Sequence, residues 1–388
     1  MTERLLMTGN AAAAWGARLA KAEVIPCYPI TPQTEIIETL AKWKAEGSLG
    51  AEFVQMDSEH SVMSAAVGAS ATGARVFTAT SSQGLLLMYE MLFIASGLRL
   101  PIVMANCSRA LSAPISLWCD HNDFLTMKPS SWLMFHAQNN QEVIDSVLMA
   151  YKIAENENVL LPAVVNMDGY VLSFTSEPTE LPDQADINKF LGKYSPEHAF
   201  FKPGKPMIQG SAIMKPHDYT FFKEQVMKAQ DNALELIPKV CKEWEEITGR
   251  KYGLIDAYRL EDAEIALVTQ GSISTTARQA VDDLRKKGTK AGLLRLRVIR
   301  PFPHEEIAKA LKKAHGVAVI DKNIEPGMGG SMFPEIRSAL YDLAHPPIVS
   351  NFIVGLGGNP ESMHLFEEAV KETQRDVKKG EGTTRLMK

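Results

Sequence analysis

Two polar side chains stand where a predicted β-strand gives way to a predicted helix. Thr31 lies in Tyr28-Pro29-Ile30-Thr31-Pro32, and Glu59 lies in Ser58-Glu59-His60-Ser61. Because α/β folds bind ligands beyond the carboxyl ends of their strands, Thr31 could donate a hydrogen bond to a ligand there. Glu59 could hydrogen-bond a ligand nitrogen. Two alternatives stay open: Thr31 could cap the helix that Pro32 enters, and Glu59 could complement the helix dipole.

Hydroxyl groups and one arginine follow two further predicted strands. Thr80 and Ser81 precede an apolar helix, where they offer donors to a ligand or form a polar turn that caps the helix. Arg109 follows another strand and could grip a carboxylate through two parallel hydrogen bonds, a geometry that lysine lacks. The alternative for Arg109 is an ordinary salt bridge to Asp120 or Asp123.

Cysteine and histidine spacing argues against a metal or cluster held by this chain alone. No C-x-x-C pair is present, so we expect any iron-sulfur cluster on another chain. The spacing of His60 and His121 matches no zinc motif. We expect the scattered cysteines to pack in the core as free thiols; they are Cys27, Cys107, Cys119 and Cys241.

Composition and charge exclude several classes of protein. The 388 residues, 45% of them hydrophobic and 22% charged, can bury substantial cores in two or three domains. A net charge of -5 gives no basic surface for nucleic acid, so we expect no nucleic-acid partner. The N-terminus carries an acid early and no apolar run is long enough to cross a bilayer, so we expect neither a signal peptide nor membrane attachment. A cytoplasmic location is therefore expected.

Alternating strand and helix patterns predict an α/β fold with a mostly parallel sheet, and the alternation restarts after residue 253 as a smaller α/β unit. Residues 177–216 are rich in Pro, Gly and charge, which predicts a long surface excursion. A helical segment from Tyr219 to Ile247 follows, and Gly249 to Gly253 is typical of a linker. The tail from Lys378 to Gly382 is expected to be solvated.

The order and context of these motifs closely resemble the alpha subunit of the 2-oxoacid:ferredoxin oxidoreductases, of the pyruvate and 2-oxoisovalerate type. The resemblance spans nearly the whole chain. The matching runs are Tyr28 to Pro32, Ser58 to Ser61, Phe77 to Ser81, Leu100 to Val103, Arg109 to Pro114, Asn139 to Glu142, Gly249 to Tyr252, Arg300 to Pro303 and Val354 to Gly358.

The resemblance implies a fold and a division into domains. Residues 1–248 would form a pyrimidine-binding domain of the kind found in thiamine diphosphate enzymes. Residues 254–388 would form a smaller domain like the C-terminal domain of transketolase. The Gly-Asp-Gly motif for diphosphate is absent here, since Met167-Asp168-Gly169 lacks its first glycine.

The resemblance also implies roles for single residues. Glu59 would hydrogen-bond the aminopyrimidine ring of the cofactor, so we expect it to be largely buried. Arg109 would bind the carboxylate of a 2-oxo acid, and Thr31 would bind that carboxylate or the keto oxygen. These three would be the catalytic residues. Other residues implied to border the cofactor are Pro29, Ile30, Thr80 and Ser81.

Cofactors and partners follow from the same resemblance. Thiamine diphosphate and its magnesium would be shared with a beta subunit that holds the diphosphate end. The [4Fe-4S] clusters would lie on partner subunits, and coenzyme A would be a co-substrate. Gamma and ferredoxin-like delta subunits, ferredoxin or an NAD-reducing subunit, and a dimer of the hetero-oligomer complete the expected assembly.

One departure from the family pattern leaves the substrate open. Many members carry an Arg-Asp-x-Gly-Trp run where this chain has Lys128-Pro129-Ser130-Ser131-Trp132. An aromatic 2-oxo acid such as phenylglyoxylate or indolepyruvate therefore remains an alternative to pyruvate or 2-oxoisovalerate. A non-oxidative thiamine enzyme component and a non-catalytic scaffold subunit are the other readings of the sequence.

Overall fold

The structure, a computed structural model, describes residues 3–196 and 200–387 of the chain. The strands are β1 (Glu3–Met7), β2 (Val24–Cys27), β3 (Glu52–Gln55), β4 (Phe77–Thr80), β5 (Val103–Ser108), β6 (Leu133–His136), β7 (Ala163–Asp168), β8 (Glu177–Leu181), β9 (Ile255–Tyr258), β10 (Ile265–Gln270), β11 (Ala291–Leu296), β12 (Val298–Arg300), β13 (Gly316–Asp321), β14 (Ile348–Ile353) and β15 (Thr384–Leu386). The helices are α1 (Gly9–Leu19), α2 (Thr34–Ala45), α3 (Glu59–Ala71), α4 (Ser82–Leu87), α5 (Tyr89–Gly97), α6 (Asn122–Thr126), α7 (Asn140–Ala154), α8 (Gln184–Leu191), α9 (Pro216–Thr248), α10 (Ile273–Lys286), α11 (His304–Leu311), α12 (Phe333–Leu340) and α13 (Met363–Lys379). Among these helices, none combines the length and apolarity needed to cross a membrane.

The first sheet has the strand order β12-β6-β7-β5-β4. Its strands β6, β7, β5 and β4 are parallel to one another. A parallel pair of strands, β2 and β3, continues beside β4 through a bridge between Val24 and Val76. All residues of β4, β5, β6 and β7 are buried, because helices cover both faces of a parallel sheet. The carboxyl ends of β4 and β5 therefore lie side by side.

The second sheet has the order β15-β14-β13-β10-β11-β9, with β9 antiparallel to β11 and the other pairs parallel. Helices α10 and α13 pack together against one face of this sheet. The predicted α/β class with mostly parallel sheets is confirmed.

The two sheets are joined through a shared core. Strand β12 comes from the C-terminal part of the chain but pairs antiparallel with β6 in the first sheet. One hydrophobic cluster contains both Met104 and Trp132 of the N-terminal part and Val268 and Ile307 of the C-terminal part. The domain boundary between residues 248 and 254 stays a prediction.

One expectation from the sequence was wrong in part. Residues 177–191 are not a surface excursion, since β8 pairs with β1 and α8 buries Ile187 and Phe190. Charge and proline content obscured this segment, in which only some residues face the core. The tail from Lys378 to Gly382 is exposed throughout, which confirms the expected solvation, and β15 begins after it at Thr384. Residues 197–199 of the predicted excursion lie outside the described residues.

Candidate functional site

Glu59 begins α3 with its side chain turned into the protein. Ser58 caps this helix by accepting a hydrogen bond from the Ser61 N–H at 3.3 Å. Glu59 is only 6% exposed, which confirms the expected burial. Within the described residues its carboxylate receives no hydrogen bond. An acid in the first helical turn also suits the helix dipole, so the two interpretations of this residue are compatible.

Gly84 provides the space that the Glu59 carboxylate occupies. A Cβ atom added at position 84 would lie 2.5 Å from Glu59 Oε1 and 2.8 Å from Thr80 Oγ1. No side chain larger than hydrogen fits there without displacing one of these groups. No signal in the sequence indicated that Gly84, three residues after Ser81, belongs to the site.

Thr80 and Ser81 lie at the carboxyl end of β4 and are fully buried. Their hydroxyl oxygens have no hydrogen-bond partner among the described residues. Ser81 is the N-cap residue of α4, but its side chain does not cap the helix, so the alternative of a side-chain cap was wrong. Buried polar atoms usually find a partner, so two orphaned hydroxyls beside a buried acid are typical of a ligand site.

Arg109 follows β5, and its guanidinium is held by neutral groups. Nη1 donates to the carbonyl oxygen of Thr31 at 2.6 Å, and Nη2 donates to Gln83 Oε1 at 2.7 Å. Within the described residues its guanidinium forms no ion pair with Asp120 or Asp123, so the salt-bridge alternative was wrong. Burial lowers the pKa of Arg109. A buried guanidinium without a carboxylate partner is suited to an anionic ligand.

Thr31 contacts the arginine through its backbone, and its side chain is exposed. Helix α2 begins only at Thr34 and its N-cap residue is Gln33, so the capping alternative for Thr31 was wrong. Pro29 is exposed and Ile30 is half-buried in the same turn. The hydroxyl of Thr31 therefore remains available to a ligand.

Asp123 connects the ends of β4 and β5. Its Oδ2 accepts hydrogen bonds from the Ser82 N–H at 2.9 Å and from the Arg109 N–H at 3.2 Å. Burial raises the pKa of this fully buried acid to about 7, although the backbone donors oppose that rise. From the sequence, Asp123 was expected only as a possible ion-pair partner, and Gln83 was not expected in the site. No local sequence signal identifies either contact.

A buried polar chain continues from this site to the second sheet. Asn106 donates to Asp123 and to Asn166, and Asn166 contacts His136 Nε2 at 2.9 Å. His136 and His121 each lie 2.9 Å from Asp168 Oδ1, while Ser272 donates to Asp168 Oδ2 through both its N–H and its hydroxyl. Asp168 therefore accepts hydrogen bonds from protein groups on both oxygens. The run Met167-Asp168-Gly169, which lacks the first glycine of a Gly-Asp-Gly motif, thus connects the two sheets.

Cys119, His121 and Asp168 bring possible metal-ligand atoms within 4.8 Å of one another, all of them buried. The oxygens of Asp168 already accept the hydrogen bonds described above, and no ion is needed to account for its position. All four cysteines are free and buried, as expected. Burial raises the pKa of Cys107 and of Cys119, which keeps both as neutral thiols.

A cavity of about 470 Å³ lies elsewhere, lined by Ala20, Arg75 and Tyr194 among others. Arg75 precedes β4, so this cavity is at the amino end of that strand, whereas Thr80 is at the carboxyl end. In parallel sheets, ligands bind at the carboxyl ends. The candidate site is therefore the group formed by Thr31, Glu59, Thr80, Ser81 and Arg109.

These residues fit the pyrimidine end of thiamine diphosphate. The buried Glu59 carboxylate and the hydroxyls of Thr80 and Ser81 have no hydrogen-bond partner in the part of the chain that the structure describes. With the space left by Gly84, they could receive a polar ring with donor and acceptor nitrogens. The described residues contribute no Gly-Asp-Gly run for a diphosphate. The fit therefore concerns the ring and not the phosphates.

Comparisons with known proteins agree on the family. Residues 15–242 match the family model for pyruvate flavodoxin/ferredoxin oxidoreductase, thiamine diphosphate-binding, and residues 263–365 match pyruvate:ferredoxin oxidoreductase core domain II. The chain is 46% identical over 380 residues to pyruvate synthase subunit PorA of Pyrococcus furiosus, covering 98% of this chain and 96% of that protein. It is 42% identical over 376 residues to ketoisovalerate oxidoreductase subunit VorA of Pyrococcus horikoshii, covering 97% and 94%.

Solved structures agree on the fold. The 2-oxoglutarate:ferredoxin oxidoreductase of Magnetococcus marinus is similar with a TM-score of 0.76 at 20% identity, over 96% of this chain and 65% of that chain. A split-gene transketolase is similar with a TM-score of 0.56 at 12% identity, over 95% and 98%. These likenesses confirm the predicted thiamine-enzyme type of α/β fold. The chain belongs to the 2-oxoacid:ferredoxin oxidoreductase family, as the counterpart of its alpha subunit.

Proposed function

We infer that this chain binds a 2-oxo acid and the pyrimidine ring of thiamine diphosphate in a multi-subunit oxidoreductase. The reaction is the coenzyme A-dependent oxidative decarboxylation of the acid to acyl-CoA and carbon dioxide. One observation carries the proposal: Glu59, a buried acid, and Arg109, a buried arginine, are joined through Gln83 and Gly84. Those two consecutive residues contact Arg109 and Glu59, respectively. Among residues 3–196 and 200–387, the acid receives no hydrogen bond and the arginine forms no ion pair.

Glu59 would hold a proton at the cofactor's ring nitrogen. Thiamine diphosphate would supply the nucleophilic carbon and take up the electrons released when carbon dioxide leaves. A carboxylate sheltered from water forms a stronger hydrogen bond to that nitrogen than an exposed one. The 6% exposure of Glu59 and the closeness of Gly84 support this role.

Arg109 would bind the carboxylate of the substrate, and Thr31 would orient the same carboxylate or the keto oxygen through its exposed hydroxyl. The Arg109 guanidinium already donates to the Thr31 carbonyl and to Gln83, so its direction is fixed before the substrate enters. Such preorganisation lowers the entropic cost of aligning the acid for attack.

Partner chains would complete the site. We propose that a beta subunit holds the diphosphate and magnesium, that [4Fe-4S] clusters on partner subunits receive the electrons singly, and that ferredoxin or an NAD-reducing subunit accepts them. Exposed apolar side chains close to the site in sequence support such contacts. They are Leu86 and Leu87 after Gly84, Ile115, Leu117 and Trp118 after Arg109, and Phe174 after β7.

The substrate is proposed to be pyruvate or a short branched 2-oxo acid. Two relatives of the chain are a pyruvate synthase subunit and a ketoisovalerate oxidoreductase subunit. The run that departs from the family pattern is engaged in packing: Lys128 contacts Glu335 at 3.0 Å, and the buried Trp132 donates to the Leu92 carbonyl at 2.9 Å. That run therefore gives no support for a changed pocket, and an aromatic acid becomes one outcome of the test.

The test uses the complex that copurifies with this chain. Reduction of a low-potential dye is measured with coenzyme A and a panel of aliphatic and aromatic 2-oxo acids. We expect thiamine-dependent reduction with pyruvate or 2-oxoisovalerate. Exclusive reduction with an aromatic acid would replace the proposed substrate. No reduction by any acid, in a complex that retains thiamine and clusters, would favour a non-catalytic subunit.

Arg109→Ala tests the proposed contact between Arg109 and the substrate carboxylate. Losing a charge-assisted hydrogen bond of about 1.5 to 3 kcal/mol raises the KM for the acid by roughly 10- to 100-fold. Arg109→Lys keeps the charge but not the paired geometry, so it should restore only part of the affinity. An unaltered KM in Arg109→Ala would contradict the assigned role.

A further inference from the structure

We propose that Asp123 is a positioning residue that fixes the substrate-binding arginine and the cofactor-facing turn relative to each other. This inference rests on the proposed function for its kinetic consequence. Its geometric content concerns only residues of this chain.

The Asp123 carboxylate accepts hydrogen bonds on both oxygens. Oδ2 receives the Ser82 N–H at 2.9 Å, the Arg109 N–H at 3.2 Å and the Asn106 amide at 3.3 Å. Oδ1 receives the Phe124 N–H at 2.7 Å. The side chain has no exposed surface, so no water replaces any of these donors from outside. One carboxylate thus ties together the residues that follow β4 and β5.

The turn that Asp123 holds at Ser82 contacts both Arg109 and Glu59 through its next two residues. Ser82 precedes Gln83, whose Oε1 accepts from Arg109 Nη2 at 2.7 Å and from the Ser82 hydroxyl at 2.6 Å. Gly84 follows and packs against the Glu59 carboxylate. Arg109 is therefore held at its backbone by Asp123 directly and at its guanidinium through Gln83. Displacing the Ser82 turn moves the supports of Arg109 and Glu59 together.

A carboxylate is required because an amide has only one acceptor oxygen. In Asp123→Asn, the amide group would face either the N–H groups of Ser82 and Arg109 or the N–H of Phe124. Each orientation places donors against donors in a site without water. Ser82 has a positive φ of 49°, which a non-glycine residue keeps only when its surroundings hold it. Loss of the Ser82 bond should therefore release this turn.

The experiment compares Asp123→Asn with a matched control, Asp120→Asn. Asp120 is also buried and accepts a backbone bond from Asn122, but it contacts neither Ser82 nor Arg109. Hydrogen exchange is measured by mass spectrometry on the assembled complex, in peptides that cover residues 81–84 and 107–110. Steady-state kinetics with the preferred 2-oxo acid follow. We expect faster exchange in both peptides and an increase of about tenfold in KM with a smaller change in kcat, for Asp123→Asn only.

Asp123→Glu serves as a second variant if Asp123→Asn does not assemble. It keeps the charge and moves the oxygens by one methylene, so the same two changes are expected if the position of the oxygens matters. Unchanged exchange at residues 81–84 and 107–110 would overturn the proposal, as would faster exchange with an unchanged KM. If the wild-type complex oxidises no 2-oxo acid, the proposed function fails, and the exchange data still decide whether Asp123 fixes the two turns.

Discussion

Gly84 and Glu59 are in direct contact: the position that a Cβ of residue 84 would take lies 2.5 Å from Oε1 of Glu59. Glu59 begins α3 and Gly84 lies in the first turn of α4; these helices follow β3 and β4, which lie on either side of β2. Their approach lets a carboxylate lie buried beside Thr80 without a side chain above it. The absence of a side chain at position 84 therefore contributes to the shape of the candidate site, together with the Glu59 carboxylate.

Gly84→Ala should impair turnover because its methyl group displaces the Glu59 carboxylate or the Thr80 hydroxyl. Gly97→Ala in α5 is the matched control, since a Cβ at position 97 meets no atom within 4 Å. We expect activity of the assembled complex to fall at least tenfold in Gly84→Ala and to stay near wild type in Gly97→Ala. Equal activities would mean that the contact has no functional role.

Glu59→Gln should lower kcat by about 10²- to 10⁴-fold, the usual contribution of an acid-base group. The amide keeps the size of the side chain but cannot accept a proton. Dye reduction by the complex measures the effect, and thermal unfolding checks that the fold is retained. Because the carboxylate has no hydrogen bond within the described residues, the melting temperature should not fall. Unchanged turnover would rule out the proposed role of Glu59.

Glu142→Ala should destabilise the fold by about 3 to 5 kcal/mol. Glu142 is 1% exposed, and its carboxylate lies 3.0 Å from Arg295 and 2.8 Å from Arg297, both buried. Removing it would leave the buried Arg297 without an anion and the buried Arg295 with only Asp256, 3.8 Å away. Denaturant unfolding of Glu142→Ala is compared with the exposed control Glu157→Ala. A loss of under 1 kcal/mol would mean that water or another acid replaces Glu142.

Lowering the pH should reduce the free energy of unfolding because His121 becomes protonated more readily in the unfolded chain. Burial lowers the pKa of His121 to about 4 from its usual 6.5, although Asp168 beside it acts in the opposite direction. A histidine whose folded pKa is lowered stabilises the fold fully above pH 6.5, and that contribution, about 3 kcal/mol, is lost as the pH falls towards 4.

The measurement is the unfolding free energy between pH 7 and 4.5 for His121→Gln and for His217→Gln, whose parent side chain is 93% exposed. We expect a shallower decline in His121→Gln than in wild type. The His217→Gln profile should follow wild type. Parallel profiles for all three proteins would show that His121 titrates normally in the folded state.

The α/β class, the burial of Glu59 and the family could all be predicted from the sequence. Each of these predictions depends on short stretches of sequence: apolar runs indicate buried strands, helical periodicity indicates helices, and short motifs in a fixed order indicate the family. Glu59 was predicted to lie where a strand gives way to a helix, and it begins α3. The roles of Glu59, Thr31 and Arg109 remain predictions that the experiments above test.

Contacts between residues far apart in the chain could not be predicted and became known from the fold. Arg250 and Arg300 stand in motifs that the sequence shares with the family, yet they bind Asp145 and Glu335 and stabilise packing. Asp123 reaches Ser82 across 41 positions, and β12 joins a sheet formed mostly by the first 168 residues. Such contacts depend on strand order and on the cost of burying charge, and neither is encoded in any short run of residues.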